Sequence, residues 1–131
     1  MTLKTHNFTV MLKDMTVPIS YDAVATLISD GIHFLGWIKV EHTESPKSIT
    51  YKYAPGELKY PDYPLNGGSL ILKVKGDENL FRLDLNTIER GLVKLCKEQP
   101  GYANDILDEN TDNETASLFF EYCLYGEPIF D

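Results

Sequence analysis

Four carboxylates, Asp105, Asp108, Glu109 and Asp112, recur at i, i+3, i+4 and i+7, and Glu114 follows two residues later. On one continuous helix the first four would share a face and present a row of negative charge. Such a row can occupy a basic groove in place of phosphates, because complementary potentials steer and orient association. Thr111 signals a break within the stretch, and the plain alternative is a solvated helix–loop surface with acids near a helix N-terminus. Asp108, Asn110 and Asp112 also match the first three ligand positions of an EF-hand loop. The match fails at the sixth position, Asn113 where Gly is needed, and at the twelfth, Phe119 where Glu is needed. No metal and no cofactor is expected.

A second group is aromatic: Trp37, Tyr51, Tyr53, Tyr60 and Tyr63. Rings with a polar tip suit half-wet surfaces and interfaces, so these residues are candidates for a small-ligand site. Lys39, Lys47, Lys52 and Lys59 lie among them, but Glu41, Glu44, Glu57 and Asp62 are interleaved, which argues against a nucleic-acid strand as ligand. Ordinary packing of strand tyrosines against a Pro-rich loop would account for the same pattern. His6, His33 and His42 share no ligand spacing, and no phosphate loop, nucleophile elbow or zinc motif occurs. No catalytic residue is nominated.

The 131 residues carry 20 acids and 12 Lys+Arg, a net charge of −8. Lys97 is the last basic residue, and the 34 residues after it hold nine acids. The first 97 residues are therefore nearly neutral, and the last quarter of the sequence carries the whole imbalance. A broad basic face for nucleic acid or an anionic membrane is excluded. Cys96 and Cys123 sit in apolar stretches and would pair only if those stretches pack together; they read as reduced, buried thiols. The N-terminus lacks the apolar core of a signal peptide, and no apolar run approaches the roughly 20 residues that span a bilayer. These features read as a cytoplasmic protein of one domain over 1–131.

The elements that position these groups follow from periodicity and punctuation. Phe8, Val10 and Leu12 alternate as a half-buried strand. Ser20 caps a helix carrying Val24, Leu27 and Ile28, with Gly31 suited to its C′ position. Phe34 to Val40, with Gly36 as a bulge, and Ile49 to Tyr53 read as a hairpin around Ser45 and Pro46. Residues 54–68 form a Pro/Gly-rich loop, a length that is uncommon and often functional. Ser69 to Lys75 and Leu80 to Leu83 read as strands around a turn at Gly76. Asn86 can cap a helix with Ile88, Leu92, Leu95 and Cys96, in which Gly91 predicts a close packing contact. A short helix over Tyr102 to Leu107 follows Pro100-Gly101. A last helix starts at Thr111-x-x-Glu114, with Asp112 as rival cap, and ends at Gly126 before Pro128. The sum is an α+β fold: an antiparallel-rich sheet of about five strands, one N-terminal helix, and two or three C-terminal helices on one face.

Three segments together resemble a known group of proteins. They are Ala25 to Trp37 (ATLISDGIHFLGW), Leu83 to Leu92 (LDLNTIERGL), and Asn110 to Phe130 with its LYGEPIF ending. Over about residues 20–131 this order is similar to a family of small uncharacterised proteins found in bacteriophages, prophages and bacteria. The family pattern has a paired glycine where Asp30-Gly31 stands and aromatic-Gly where Phe130-Asp131 stands. The family has no assigned activity, so the resemblance carries over no catalytic residue. It implies a mobile-element origin, hence the host cell's cytoplasm, and by association an inhibitor or interaction role.

Three functions are therefore expected in order. The first is a non-enzymatic interaction or inhibitor protein using Asp105, Asp108, Glu109, Asp112 and Glu114 against a basic partner surface, for example a host nucleic-acid-binding or defence protein. It involves no direct nucleic-acid or membrane contact. The second is a small-ligand binder or enzyme using Trp37, Tyr51, Tyr53, Tyr60 and Tyr63. The third is a structural assembly domain. Partner identity, strand order and oligomeric state are left open by the sequence.

Overall fold

A computed structural model describes residues 7–46 and 58–130. The chain opens with a hairpin, β1 (Phe8–Leu12) and β2 (Met15–Ile19), paired antiparallel. The two turn residues, Lys13 and Asp14, both have positive φ, at 52° and 66°. That is the twist a two-residue hairpin turn requires. β2 was not expected from the sequence, because Pro18 interrupts its β pattern. Pro18 is tolerated because β2 pairs with β1 alone among the described strands.

Helix α1 (Tyr21–Phe34) starts as expected, with the Ser20 hydroxyl oxygen accepting from the Ala23 N–H at 3.1 Å. It does not stop at Gly31. Gly31 is buried inside the helix, where the ring of Phe120 fills the space a Cβ would need. The expected strand from Phe34 accordingly begins later, as β3 (Ile38–Glu44). Gly36 is not a bulge; the register shifts between Val40 and His42, making Glu41 the extra residue. Among the described strands β3 pairs with β4 (Ser69–Val74), which pairs with β5 (Leu80–Leu83), all antiparallel. The expected strand Ile49–Tyr53 lies outside the described residues. Between β3 and β4 the described part of the loop contains a single helical turn, α2 (Asp62–Leu65).

Three helices complete the chain: α3 (Leu85–Glu98), α4 (Pro100–Leu107) and α5 (Asn113–Tyr125). Asp84, not Asn86, caps α3, its Oδ1 accepting from the Thr87 N–H at 2.9 Å. Gly126 closes α5 in the left-handed conformation, φ 77°. The α+β class is thus observed, but the strands split into a two-stranded and a three-stranded sheet instead of one. The tight Lys13–Asp14 turn pairs β1 with β2, and among the described residues neither strand hydrogen-bonds to a strand of the other sheet. β1 packs on α3, and α3 packs on α5. Ile88, Leu92 and Leu95 of α3 meet Leu27 and Ile28 of α1 and Phe119 and Phe120 of α5 in one core, all fully buried.

The expected close contact at Gly91 is present. A Cβ there would lie 2.6 Å from Cys123 Sγ and 2.9 Å from its Cα and N. The obstacle is backbone, so the helices would have to part. Gly91→Ala should lower unfolding stability by about 1–3 kcal/mol, although Ala is intrinsically better in a helix by about 1 kcal/mol. Gly101 of α4 has open space around it, so Gly101→Ala should be neutral or stabilising by up to about 1 kcal/mol. Urea titration of both variants checks the contrast; equal effects would remove the packing explanation.

Candidate functional site

The five nominated acids lie where α4 hands over to α5. Two local devices shape this corner. At the end of α4 the Glu109 N–H donates to the Ile106 carbonyl at 3.1 Å, and the Asn110 N–H donates to the Asp105 carbonyl at 2.9 Å. Glu109 sits between them with φ 53°. This is the paired closure of a Schellman motif, usually reserved for glycine. It turns the chain sharply after Asp108, so Asp105, Asp108, Glu109 and Asp112 do not share one helix face. The second device is Asp112, the N-cap of α5. Its Oδ1 accepts from the Thr115 N–H at 2.9 Å and the Thr115 hydroxyl at 3.0 Å. The Thr111–Glu114 capping box is not formed, because Asp112 takes the cap role.

The acids divide by what they do. Asp112 is held below the usual carboxylate range, first by the Thr115 backbone N–H. Glu114 accepts the hydroxyl of Tyr102 from α4. That bond first, then burial, and then the negative charges of Glu114, Asp112 and Asp105 push the Tyr102 phenol up. Three of the five nominated carboxylates therefore act on one phenol despite the broken helix. Asp108 and Glu109 are exposed at the turn itself. Among the described residues the one ion pair is Arg82–Glu44, so no acid of this corner has a described cation beside it. Glu98 accepts from the Tyr122 hydroxyl at 2.9 Å, again a neutral donor.

Glu121 of α5 was not nominated, although it is the most unusual acid in the chain. It is only 4% exposed. Its Oε1 accepts from the Ile129 N–H at 2.8 Å and the Phe130 N–H at 3.0 Å, and its Oε2 from the Ser117 hydroxyl at 3.0 Å. The signal available in the sequence was a lone Glu inside the apolar run Leu118 to Leu124. The bonds strap the chain end across α5 and bring Phe130 edge-on to Trp37, with ring centroids 4.9 Å apart.

The described aromatics of the second group, Trp37, Tyr60 and Tyr63, have different surroundings. Trp37 packs on Phe130, while Tyr63 is half-buried against the core. Tyr60 lines a different feature, an open groove of about 630 Å³ between α1 and residues 58–62, together with His33 and Asp22. Tyr51 and Tyr53 lie outside the described residues, as do Lys47, Lys52 and His6. Beside the groove Tyr21 donates to Asp62 Oδ1 at 2.6 Å and accepts from Asn66 Nδ2 at 3.0 Å. Burial, and then the Asp62 carboxylate, push the Tyr21 phenol well above its ordinary range. This network ties α2 to α1 and was not foreseen. A larger open cleft of about 890 Å³ runs beside α3, where Arg90, Lys94 and Lys97 alternate with Asp84, Glu89 and Glu98.

Chemistry at other candidate groups is limited. Cys96 and Cys123 are both free and buried although α3 and α5 pack together. Burial pushes the Cys96 thiol up to about 11 and Cys123 higher still, the wrong direction for a nucleophile. Among the described residues no three His, Cys, Asp or Glu side chains converge as a metal group. No helix among them is long and apolar enough to cross a membrane. The fold is thus that of an α+β protein with an acidic helical corner between α4 and α5. No family model, curated protein or solved structure matches the chain.

Two outcomes follow from the corner's construction. Glu109→Gly should raise stability by about 0.5–1 kcal/mol, the balance of left-handed strain relieved against added unfolded-state entropy; a destabilised variant in urea titration would contradict the Schellman assignment. Asp112 has a lower pKa folded than unfolded. Its contribution is therefore present above the unfolded pKa and lost as pH falls through the folded one. The melting-temperature gap between wild type and Asp112→Ala should be full at neutral pH and shrink, down to what a neutral acceptor still supplies, as pH falls below the ordinary carboxylate range. Asp112→Asn should keep its cap throughout.

Proposed function

We propose that this is a non-enzymatic interaction protein of phage or prophage type whose α4–α5 corner docks on a basic protein surface. A host nucleic-acid-binding or defence protein is the partner class this reading favours. The observation that carries it is the set of corner carboxylates without a neighbouring cation among the described residues. Where these acids are bonded, the donors are a hydroxyl or a backbone N–H. Neutral donors leave the negative charge in place, so the corner retains a field that a Lys- or Arg-rich surface would complete. Asp105, Asp108 and Glu109 are spared from those side-chain roles and are free to meet a partner.

The test is fluorescence anisotropy with a labelled octalysine peptide at low salt. Asp105→Asn, Asp108→Asn and Glu109→Gln combined should weaken binding about tenfold, and the difference should shrink as salt rises. A control removes the same charge elsewhere, through Asp14→Asn, Glu41→Gln and Glu78→Gln, and should weaken binding much less. Equal losses in the two triple variants would show a response to net charge alone and end the docking reading.

A further inference from the structure

We propose that the cavity beside the acidic corner is an anchor pocket for one arginine side chain of the partner, an inference that rests on the corner's being a docking surface. The cavity measures about 260 Å³. That is smaller than the roughly 300–1,000 Å³ of pockets that take small molecules, and it suits a single long side chain. One wall is a stripe of α5, Glu114, Ser117, Leu118 and Glu121, at i, i+3, i+4 and i+7. Gln99 at the α3–α4 junction, Tyr102 of α4, and Phe130 complete it. The described lining holds two carboxylates and two aromatic rings, and no Lys, Arg or His.

This lining selects a planar cation. A guanidinium stacks on aromatic faces and presents a rigid fork of N–H donors to several acceptors at once. An ammonium is a compact, strongly hydrated point charge and uses such a wall less well. Glu114 is oriented by the Tyr102 hydroxyl it accepts and keeps acceptor capacity on its other lone pairs. Glu121 is buried with neutral donors and no counter-cation among the described residues, so a cation nearby would offset its desolvation. The two N–H groups that Glu121 holds belong to Ile129 and Phe130. The same carboxylate therefore sets the Phe130 main chain, while Trp37 supports its ring. The aromatic wall is held in place before any ligand arrives, which lowers the ordering cost of binding.

The experiment is an NMR titration of the full chain with N-acetyl-arginine amide and, separately, N-acetyl-lysine amide. The arginine probe should give saturable shifts centred on Ser117, Leu118 and Phe130, and the lysine probe should bind about five- to tenfold more weakly. Phe130→Ala removes a ring but no charge; it should weaken the arginine probe by a similar factor and leave octalysine binding at the corner unchanged. Glu114→Gln should weaken the arginine probe as well. Equal affinity for the two probes, shifts spread over all exposed carboxylates, or indifference to Phe130→Ala would overturn the pocket. Octalysine binding that persists in that case leaves the docking reading standing, and its loss ends both.

Discussion

The close approach of α3 and α5 is the constraint on which the other contacts depend. Gly91 has no side chain, so the Cys123 backbone of α5 can lie against it. At that separation Phe119 and Phe120 turn into the core as a T-shaped pair, with centroids 5.3 Å apart. Phe120 then fills the space above Gly31, which draws α1 against α5. At its other end α5 places Tyr125 on Phe81 of β5, at 5.0 Å, and its hydroxyl on Asp77 at 2.8 Å. Two glycines on two helices thus receive the same third helix. Interiors packed at crystal-like density leave no slack at such points, so α5 is the member to which α1, α3 and the three-stranded sheet are all fitted.

The same helix must also manage negative charge with no basic residue of its own. It does so with neutral donors. Asp112 takes a backbone N–H, Glu114 a tyrosine hydroxyl, and Glu121 two backbone N–H groups and a serine. These bonds satisfy lone pairs and order side chains, but they cancel no charge. Hydrogen bonding and neutralisation are separate matters here: the acids of α5 are built into the fold by donors that bring no positive charge. That separation makes a structural role for Asp112 and Glu114 compatible with a docking role for the corner as a whole.

Much of this was legible from local pattern. The Ser20 cap, the Ile88–Leu92–Leu95 stripe, the β4–β5 hairpin and the Gly126 stop each depend on neighbours a few residues away, and each is observed. The close contact at Gly91 followed from the cost of glycine inside a helix. The misreadings have separate physical origins. Gly31 has the composition of a helix stop and serves as a packing site, because its partner Phe120 is 89 positions along the chain. Glu109 takes a left-handed position that composition assigns to glycine, so the sharpness of the α4 closure was hidden. β2 was masked by Pro18, whose missing N–H matters only if a strand lies on its far side.

Most element types, the α+β class and the steep charge imbalance after Lys97 were determined by the sequence alone, because capping, periodicity and charge act through near neighbours or through simple composition. Tertiary structure decided which acids are spent and which are free, that Trp37 answers to Phe130 and not to Tyr60, and that a buried Glu121 holds the chain end. Those outcomes depend on distances between residues remote in the chain, and a side chain's chemistry becomes specific only when its partner has been brought within reach.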